Sequence, residues 1–169
     1  MANQTQILEH KKILQKINRI AYQIYEDHHQ EEEIIMAGIA SNGYLFAKLL
    51  KEKLEEISTG IQIKLIELKI DKKNPIDSEI ELGIQSDELE AKSIILVDDV
   101  LNSGKTLIYG MQAFLKAPLK KLSVAVLVNR SHKRFPVNAN YVGMSLATTL
   151  KEHIEVSFTK ENDYSAYLS

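Results

Sequence analysis

Cysteine is absent from the 169 residues. That excludes disulfides, thiolate nucleophiles and cysteine-ligated metals, and it removes any need for an oxidising compartment, so the cytoplasm is the expected location. An excess of charge of either sign is missing too. The 21 Lys and Arg against 23 Asp and Glu leave a net charge of -2, so nothing global marks a nucleic-acid binder, and any site for an anionic ligand has to be local. No window approaches the roughly 18 apolar residues that span a bilayer, and the N-terminal MANQTQILEHKK carries no apolar run behind its charges, which predicts a soluble protein. Repeats, low-complexity stretches and Ser/Pro-rich linkers are also lacking. What is present is 44% hydrophobic residues, enough for one sizeable core and a single domain over residues 1–169.

The pattern alternates helix and strand. Leu14, Ile17, Ala21 and Ile24 recur at helical spacing and predict a first helix from Gln6 to about Asp27 with Thr5 as its N-cap. Ile34 to Ile39 reads as a strand, and Leu45, Phe46, Leu49, Leu50 and Leu54 share one face of a helix over Tyr44 to Leu54. Ile61, Ile63, Leu65, Leu68 and Ile70 suggest a further strand, with a polar excursion after it from Asp71 to Gly83. Ile94 to Val97 and Leu122 to Val128 are fully apolar strands on either side of a helix from Lys105 to Leu115. Shorter strands are expected at Ala139 to Gly143 and Ile154 to Phe158. The fold class is therefore α/β, a central and mainly parallel sheet flanked by helices.

Such sheets bind ligands beyond the carboxyl ends of their strands, and there the apolar run Ile94–Val97 meets Asp98, Asp99 and the turn Asn102-Ser103-Gly104-Lys105-Thr106. Adjacent carboxylates at the end of a core strand are costly unless a ligand uses them. The turn is not a nucleotide-triphosphatase P-loop, because Asp99 stands five residues before Gly104 where that motif needs glycine. Gly38 and Gly43 have P-loop spacing, but Tyr44 and Leu45 replace the required Lys and Ser/Thr. Paired acids can accept hydrogen bonds from a sugar diol, and a small, donor-bearing turn opening a helix can hold a phosphate. A sugar phosphate satisfies both. Asp98 and Asp99 alone would read as a solvated loop or cap; the complete strand–acid pair–turn pattern favours a ligand. Lys105 offers its backbone amide more than a charge, since a lysine in a first helical turn commonly points to solvent.

Ile94 to Thr106 resembles the signature of the type I phosphoribosyltransferases. The resemblance implies 5-phosphoribosyl-1-pyrophosphate (PRPP) as ligand, with Asp98 and Asp99 on the ribose hydroxyls as the catalytic pair and Asn102, Ser103, Gly104, Lys105 and Thr106 on the 5-phosphate. A narrower resemblance covers most of the chain. GIASNGYLFAKLL (Gly38 to Leu50), the acid-pair motif, and VLVNRSHKRFPVNANYVGM (Val126 to Met144), with its Arg130, His132, Pro136, Tyr141 and Gly143, look like the PyrR group, pyrimidine-operon attenuators that also act as uracil phosphoribosyltransferases.

The group's pattern assigns pyrophosphate to the turn Ala40, Ser41, Asn42 and Gly43. Ala40 and Asn42 stand where the group usually carries arginines, leaving backbone amides, Ser41 and a helix N-terminus to hold the anion. A short hood loop is placed at Asp71 to Gly83, whose Lys72 and Lys73 are candidate pyrophosphate contacts. The base is assigned to Val128, Arg130 and Ser131, with Phe135 or Tyr141 as a stacking face or core filler and His132 as a loop residue. Mg²⁺ would be held mainly by PRPP and water, with no protein metal ligand. Partners implied are PRPP and a nucleobase, uracil first, in pyrimidine salvage, together with a homodimer or higher homo-oligomer. Two functions stay open: a phosphoribosyltransferase, and a nucleotide-responsive RNA-binding regulator with weak or no catalysis. For the second, Lys11, Lys12, Lys16 and Arg19 share one region of the first helix, but acidic neighbours abound elsewhere, so charge does not support RNA binding.

Overall fold

The computed structural model describes residues 4–76, 79–149 and 151–169. In chain order its elements are β1 (Thr5–Leu8), α1 (His10–His28), β2 (Glu33–Ile39), α2 (Asn42–Ile57), β3 (Gln62–Leu68), β4 (Ser93–Leu101), α3 (Lys105–Phe114), β5 (Lys121–Arg130), β6 (Tyr141–Leu146), β7 (Ile154–Ser157) and β8 (Ser165–Leu168), with a single 3₁₀ turn at Ser86–Leu89.

Five strands pair in the order β3-β2-β4-β5-β6, all parallel. Their sequences are apolar on both faces because both faces are covered. Ile34, Met36, Ile95 and Val97 pack with Ile13, Ile17, Ile20 and Ile24 of α1 and with Phe46, Leu50 and Leu54 of α2. Ile35, Ala37, Ile39, Ile94 and Leu96 face the other way, onto Leu107 and Phe114 of α3. A second, antiparallel sheet, β1-β8-β7, joins the first and the last strand of the chain. Its Ile154, Val156, Phe158 and Ala166 close over the α1/α2 side of the core, where Phe158 stacks on Phe46 with ring centroids 5.7 Å apart.

The first helix is shorter than its periodicity suggested. Thr5 does not cap it. Residues 5–8 form a strand against β8, and the helix is entered from Glu9 without a side-chain cap. Its buried stripe runs Ile13, Ile17, Ile20, Ala21, Ile24, while Leu14 is 44% exposed. The strand predicted to stop at Val97 continues through Asp98 and Asp99 to Leu101, because its ladder to β5 resumes at Val100↔Val128 after Asp98↔Val126. In the excursion between β3 and β4, Lys69 and Glu81 form an isolated antiparallel bridge, and Asp77 and Ser78 of the expected hood loop lie outside the described residues.

At the end of α1 opposite its start, His28 is 1% exposed. Its Nδ1 donates to the Ile24 carbonyl at 2.8 Å, and its Nε2 is buried with no hydrogen-bond partner among the described residues. Burial lowers its pKa below 6.5, aided by the charge of Lys121 and opposed by the Ile24 bond and by Asp27 and Glu31. A depressed histidine pKa means that the unfolded chain takes up the proton first. Stability from this group is complete above about pH 6.5 and is lost as pH falls from there toward the lowered value. His28→Leu is expected to flatten the pH dependence of Tm between pH 7.5 and 5.5 relative to the native chain, as read by parallel thermal melts. Equal slopes would show that His28 does not titrate in this way.

Candidate active site

The sheet order places a crevice between β2 and β4. From β2 the chain passes through α2 to β3 on one side, and from β4 through α3 to β5 on the other, which is the switch point where open α/β sheets take ligands. The turn after β2 runs Ala40, Ser41, Asn42, Gly43, with a cis peptide between Ala40 and Ser41. Gly43 lets the first turn of α2 lie directly on β4: a Cβ there would sit 2.8 Å from the Val97 carbonyl oxygen and 3.0 Å from Asp98 Oδ1.

On β4 the facing pattern slips by one residue at the acid pair. Ile95, Val97 and then Val100 face the α1/α2 core, whereas Ile94, Leu96 and Leu101 face α3. Asp98 and Asp99 occupy the slip, 3% and 9% exposed. The Asp99 amide donates to Asp98 Oδ1 at 3.0 Å, and Lys72 Nζ lies 3.4 Å from the same oxygen. Asn42 Nδ2 donates to Asp99 Oδ2 at 3.3 Å and to the Val156 carbonyl at 2.8 Å. Burial, and then the neighbouring Asp99 charge, push the Asp98 carboxyl well above the usual carboxylate range, with Lys72 pulling the other way. A carboxyl held so is stabilised by any ligand that supplies hydroxyl donors.

The turn Asn102–Thr106 leads into α3. Gly104 adopts φ +83°, a left-handed conformation that non-glycine residues rarely take. The Lys105 amide donates to Ser103 Oγ at 3.3 Å. The segment after β5 braces this turn, since the amides of Arg134 and Phe135 both donate to the Ser103 carbonyl, at 2.9 and 3.0 Å. Lys105 Nζ reaches back to the Lys73 carbonyl at 3.5 Å.

A cavity of about 270 Å³ is lined together by Asn42, Lys72, the acid pair, the whole turn from Asn102 to Thr106, and His153 to Val156. Sequence reasoning missed the last stretch. The alternation of Ile154, Val156 and Phe158 announced a strand but not where it docks, because its partners in the second sheet are far away in the chain. Ala40, Ser41 and Gly43 underlie the turn without lining this cavity. Val128 is fully buried in β5. Arg130 is also buried, and its guanidinium donates to Thr148 Oγ1, to the Thr149 carbonyl at 2.6 Å and to Asn102 Oδ1 at 3.5 Å. Arg130 and Ser131 line a neighbouring cavity that shares Asn102 and Ser103 with the first. Phe135 is half-buried in the α3-side core, and Tyr141 is buried with its hydroxyl donating to Asp27 at 2.7 Å. Among the described residues no cluster of three or more His, Asp or Glu gathers to hold a metal ion, and no helix is long and apolar enough to cross a membrane.

Residues 3–160 match the phosphoribosyl transferase domain. The chain is 34% identical over 164 residues to a "Bifunctional protein PyrR" of Fusobacterium nucleatum, covering 93% of this chain and 92% of that one. It is 31% identical over 166 residues to a protein of the same name from Haemophilus influenzae, covering 92% of each. In fold it is similar to a hypoxanthine phosphoribosyltransferase of Trypanosoma cruzi (TM-score 0.76, 14% identity, 96% of this chain and 95% of that one). A hypoxanthine-guanine phosphoribosyltransferase of Bacillus anthracis is also similar (TM-score 0.75, 17% identity, 95% and 96%). A buried acid pair at the sheet's switch point, a braced turn entering α3 and a domain match over nearly the whole chain agree: the chain belongs to the phosphoribosyltransferase family, enzymes of the pentosyltransferase type.

Proposed function

We propose that this chain transfers phosphoribose from PRPP to a nucleobase, with uracil as the first candidate. The observation that carries the reading is one cavity lined at once by Asp98 and Asp99, by the turn Asn102–Thr106, and by β7. The acid pair accepts hydrogen bonds from the ribose hydroxyls. The turn's amides, the Ser103 and Thr106 hydroxyls and the α3 N-terminus take the 5-phosphate. Pyrophosphate then points toward the turn before α2 and toward Lys72, and the base lies against β7. Arg130, with its guanidinium engaged by Thr148, Thr149 and Asn102, supports the phosphate turn from behind, and with Ser131 it lines the neighbouring cavity that shares Asn102 and Ser103.

No protein nucleophile is required. A base nitrogen displaces pyrophosphate at the anomeric carbon through an oxocarbenium-like transition state, and this site contributes by aligning the two reactants. Asp98 and Asp99 would be the residues facing a Mg²⁺ ion brought in with PRPP, through its water and too few to cage it, and such an ion would supply charge neutralisation for the pyrophosphate.

A second reading follows from the resemblance of Gly38–Leu50 and Val126–Met144 to the PyrR group: a nucleotide-responsive RNA-binding regulator. On α1 the Arg19 guanidinium donates to the Val142 and Gly143 carbonyls at 3.0 and 2.6 Å, which fixes its position and leaves its charge beside those of Lys11, Lys12 and Lys16. RNA binding that strengthens with nucleotide and falls steeply with salt would favour this reading. The deciding assay for the first is PRPP-dependent pyrophosphate release across free bases. Release with uracil, and not with hypoxanthine, guanine or orotate, supports the proposal; release with none of them overturns transfer.

Two substitutions sharpen the assignment. Asp98 ionises less readily in the folded chain than in the unfolded one, so above the ordinary carboxylate range its charge opposes folding, and stability rises as pH falls through the raised pKa. Asp98→Asn with Asp99→Asn is therefore expected to abolish PRPP binding in a calorimetric titration while raising Tm at pH 7 by ~2–4 °C, the effect of ~1 kcal/mol in a chain of this size. The gain shrinks as pH is lowered toward 3.8. Retained affinity would remove the ribose assignment.

The phosphate turn is tested by ranking. Gly104→Val forces a β-branched residue into φ +83° with its Cβ 3.3 Å from the Phe135 carbonyl oxygen, and it is expected to weaken PRPP binding far more than Lys105→Ala. The reverse order would make the site lysine-centred.

A further inference from the structure

We infer that Asn42 is a positioning residue: a clasp that ties the acid pair of the parallel sheet to the free edge of β7. The inference rests on the proposed PRPP site and deepens it.

Both amide hydrogens of Asn42 are committed to protein, one to Asp99 Oδ2 at 3.3 Å and one to the Val156 carbonyl at 2.8 Å. The two acceptors belong to different sheets. Asp99 sits on β4, at the centre of the five-stranded sheet, whereas Val156 sits on β7, an edge strand paired on one side by β8. An edge strand presents backbone groups that its own sheet does not satisfy, and here the Val156 carbonyl is satisfied from across the cavity. Asn42, Asp99 and Val156 all line that cavity, so the clasp joins the acids to the wall assigned to the base. It is the first residue of α2, and the contact of Gly43 with Val97 and Asp98 fixes that helix end against β4. The amide is therefore aimed by backbone packing rather than by a flexible arm.

Two consequences follow. One carboxylate oxygen of Asp99 is directed toward Asn42, which orients the rest of the pair toward a ligand. Core packing of Ile154, Val156 and Phe158 seats β7 against the sheet, and the Asn42 side chain ties its polar edge to β4 at the cavity, where ribose and base would lie. Asn42 thus acts on ligand binding through Asp99 and β7. This role is distinct from the pyrophosphate contact that the sequence assigns to the turn Ala40–Gly43, since both amide hydrogens of Asn42 are engaged by protein.

The test uses Asn42→Ala, which deletes the clasp, and Asn42→Asp, which keeps its size but places a third carboxylate against Asp99 and an acceptor against the Val156 carbonyl. Both variants are first checked for a native melt. PRPP affinity with Mg²⁺ is expected to fall by about tenfold in Asn42→Ala and further in Asn42→Asp, the size of losing a hydrogen bond to a charged group. KM for PRPP should rise while kcat at saturation changes by less than about threefold. Hydrogen exchange should quicken at residues 154–157 and stay unchanged in β5. A kcat that falls as much as kcat/KM would make Asn42 a leaving-group contact and overturn the clasp. So would loss of protection spread evenly over the chain, or β7 protection and PRPP affinity unchanged in both variants. If the native protein binds no PRPP, the functional reading fails by itself, and β7 exchange in the two variants alone decides whether the clasp exists.

Discussion

Two adjacent carboxylates buried in the middle strand of a sheet are the constraint around which this protein is arranged. Asp98 and Asp99 are nearly inaccessible, and charges so placed destabilise a fold unless donors or ligands meet them. The structure meets them part of the way. The Asp99 amide and the Lys72 ammonium address Asp98, and the Asn42 amide addresses Asp99. Glycine at position 43 brings the N-terminal end of α2 up to the same spot. What is left over, a carboxyl held above its usual pKa by burial and by its neighbour, is the free energy available to a ligand that brings hydroxyl donors. Sites of this kind are ordinarily less stable than an apolar alternative and are kept for binding.

The same constraint explains the local backbone. The facing pattern of β4 slips at the pair, so that Val97 and Val100 face one core and Leu96 and Leu101 the other. The strand can then carry two acids toward the crevice without exposing the apolar residues on either side. Beyond it, Gly104 turns the chain into α3, and the Arg134 and Phe135 amides hold the turn through the Ser103 carbonyl. The RSHKRFP segment, read from sequence as the base side, is in this structure also the brace of the phosphate turn.

Four of the parallel strands and the three helices were legible because each is long, periodic or fully apolar, whereas β6, expected at Ala139 to Gly143, runs Tyr141–Leu146, a short and mixed stretch that does not mark its own ends. The acid pair and the turn after it were legible because their chemistry is local in sequence: strand, carboxylates, glycine and helix start follow within a few residues. Of the second sheet, β7 was expected at Ile154 to Phe158 and β1 and β8 were not. TQIL and SAYL are four residues each, too short to show a period, and each is a strand only because the other end of the chain lies beside it. Reading Thr5 as a helix cap followed from that missing partner. The Asn42 contact to Asp99 and Val156 was hidden for the same reason: it joins residues 57 and 114 positions apart, and nothing in the turn Ser41-Asn42-Gly43 distinguishes an amide aimed at a carboxylate from an ordinary Asn-Gly turn.

The central claim is that the buried Asp98 carboxyl is held above its usual pKa by burial and by the Asp99 charge, and that a phosphoribosyl ligand relieves it. The ¹³C resonance of the Asp98 carboxyl, followed from pH 3 to 9 without ligand and again with PRPP and Mg²⁺, measures that directly. The account predicts a midpoint well above 3.8 in the free protein and a downward shift on adding PRPP, as ribose hydroxyls donate to the ionised form. A free-protein midpoint near 3.8, or a midpoint that PRPP leaves in place, would contradict it.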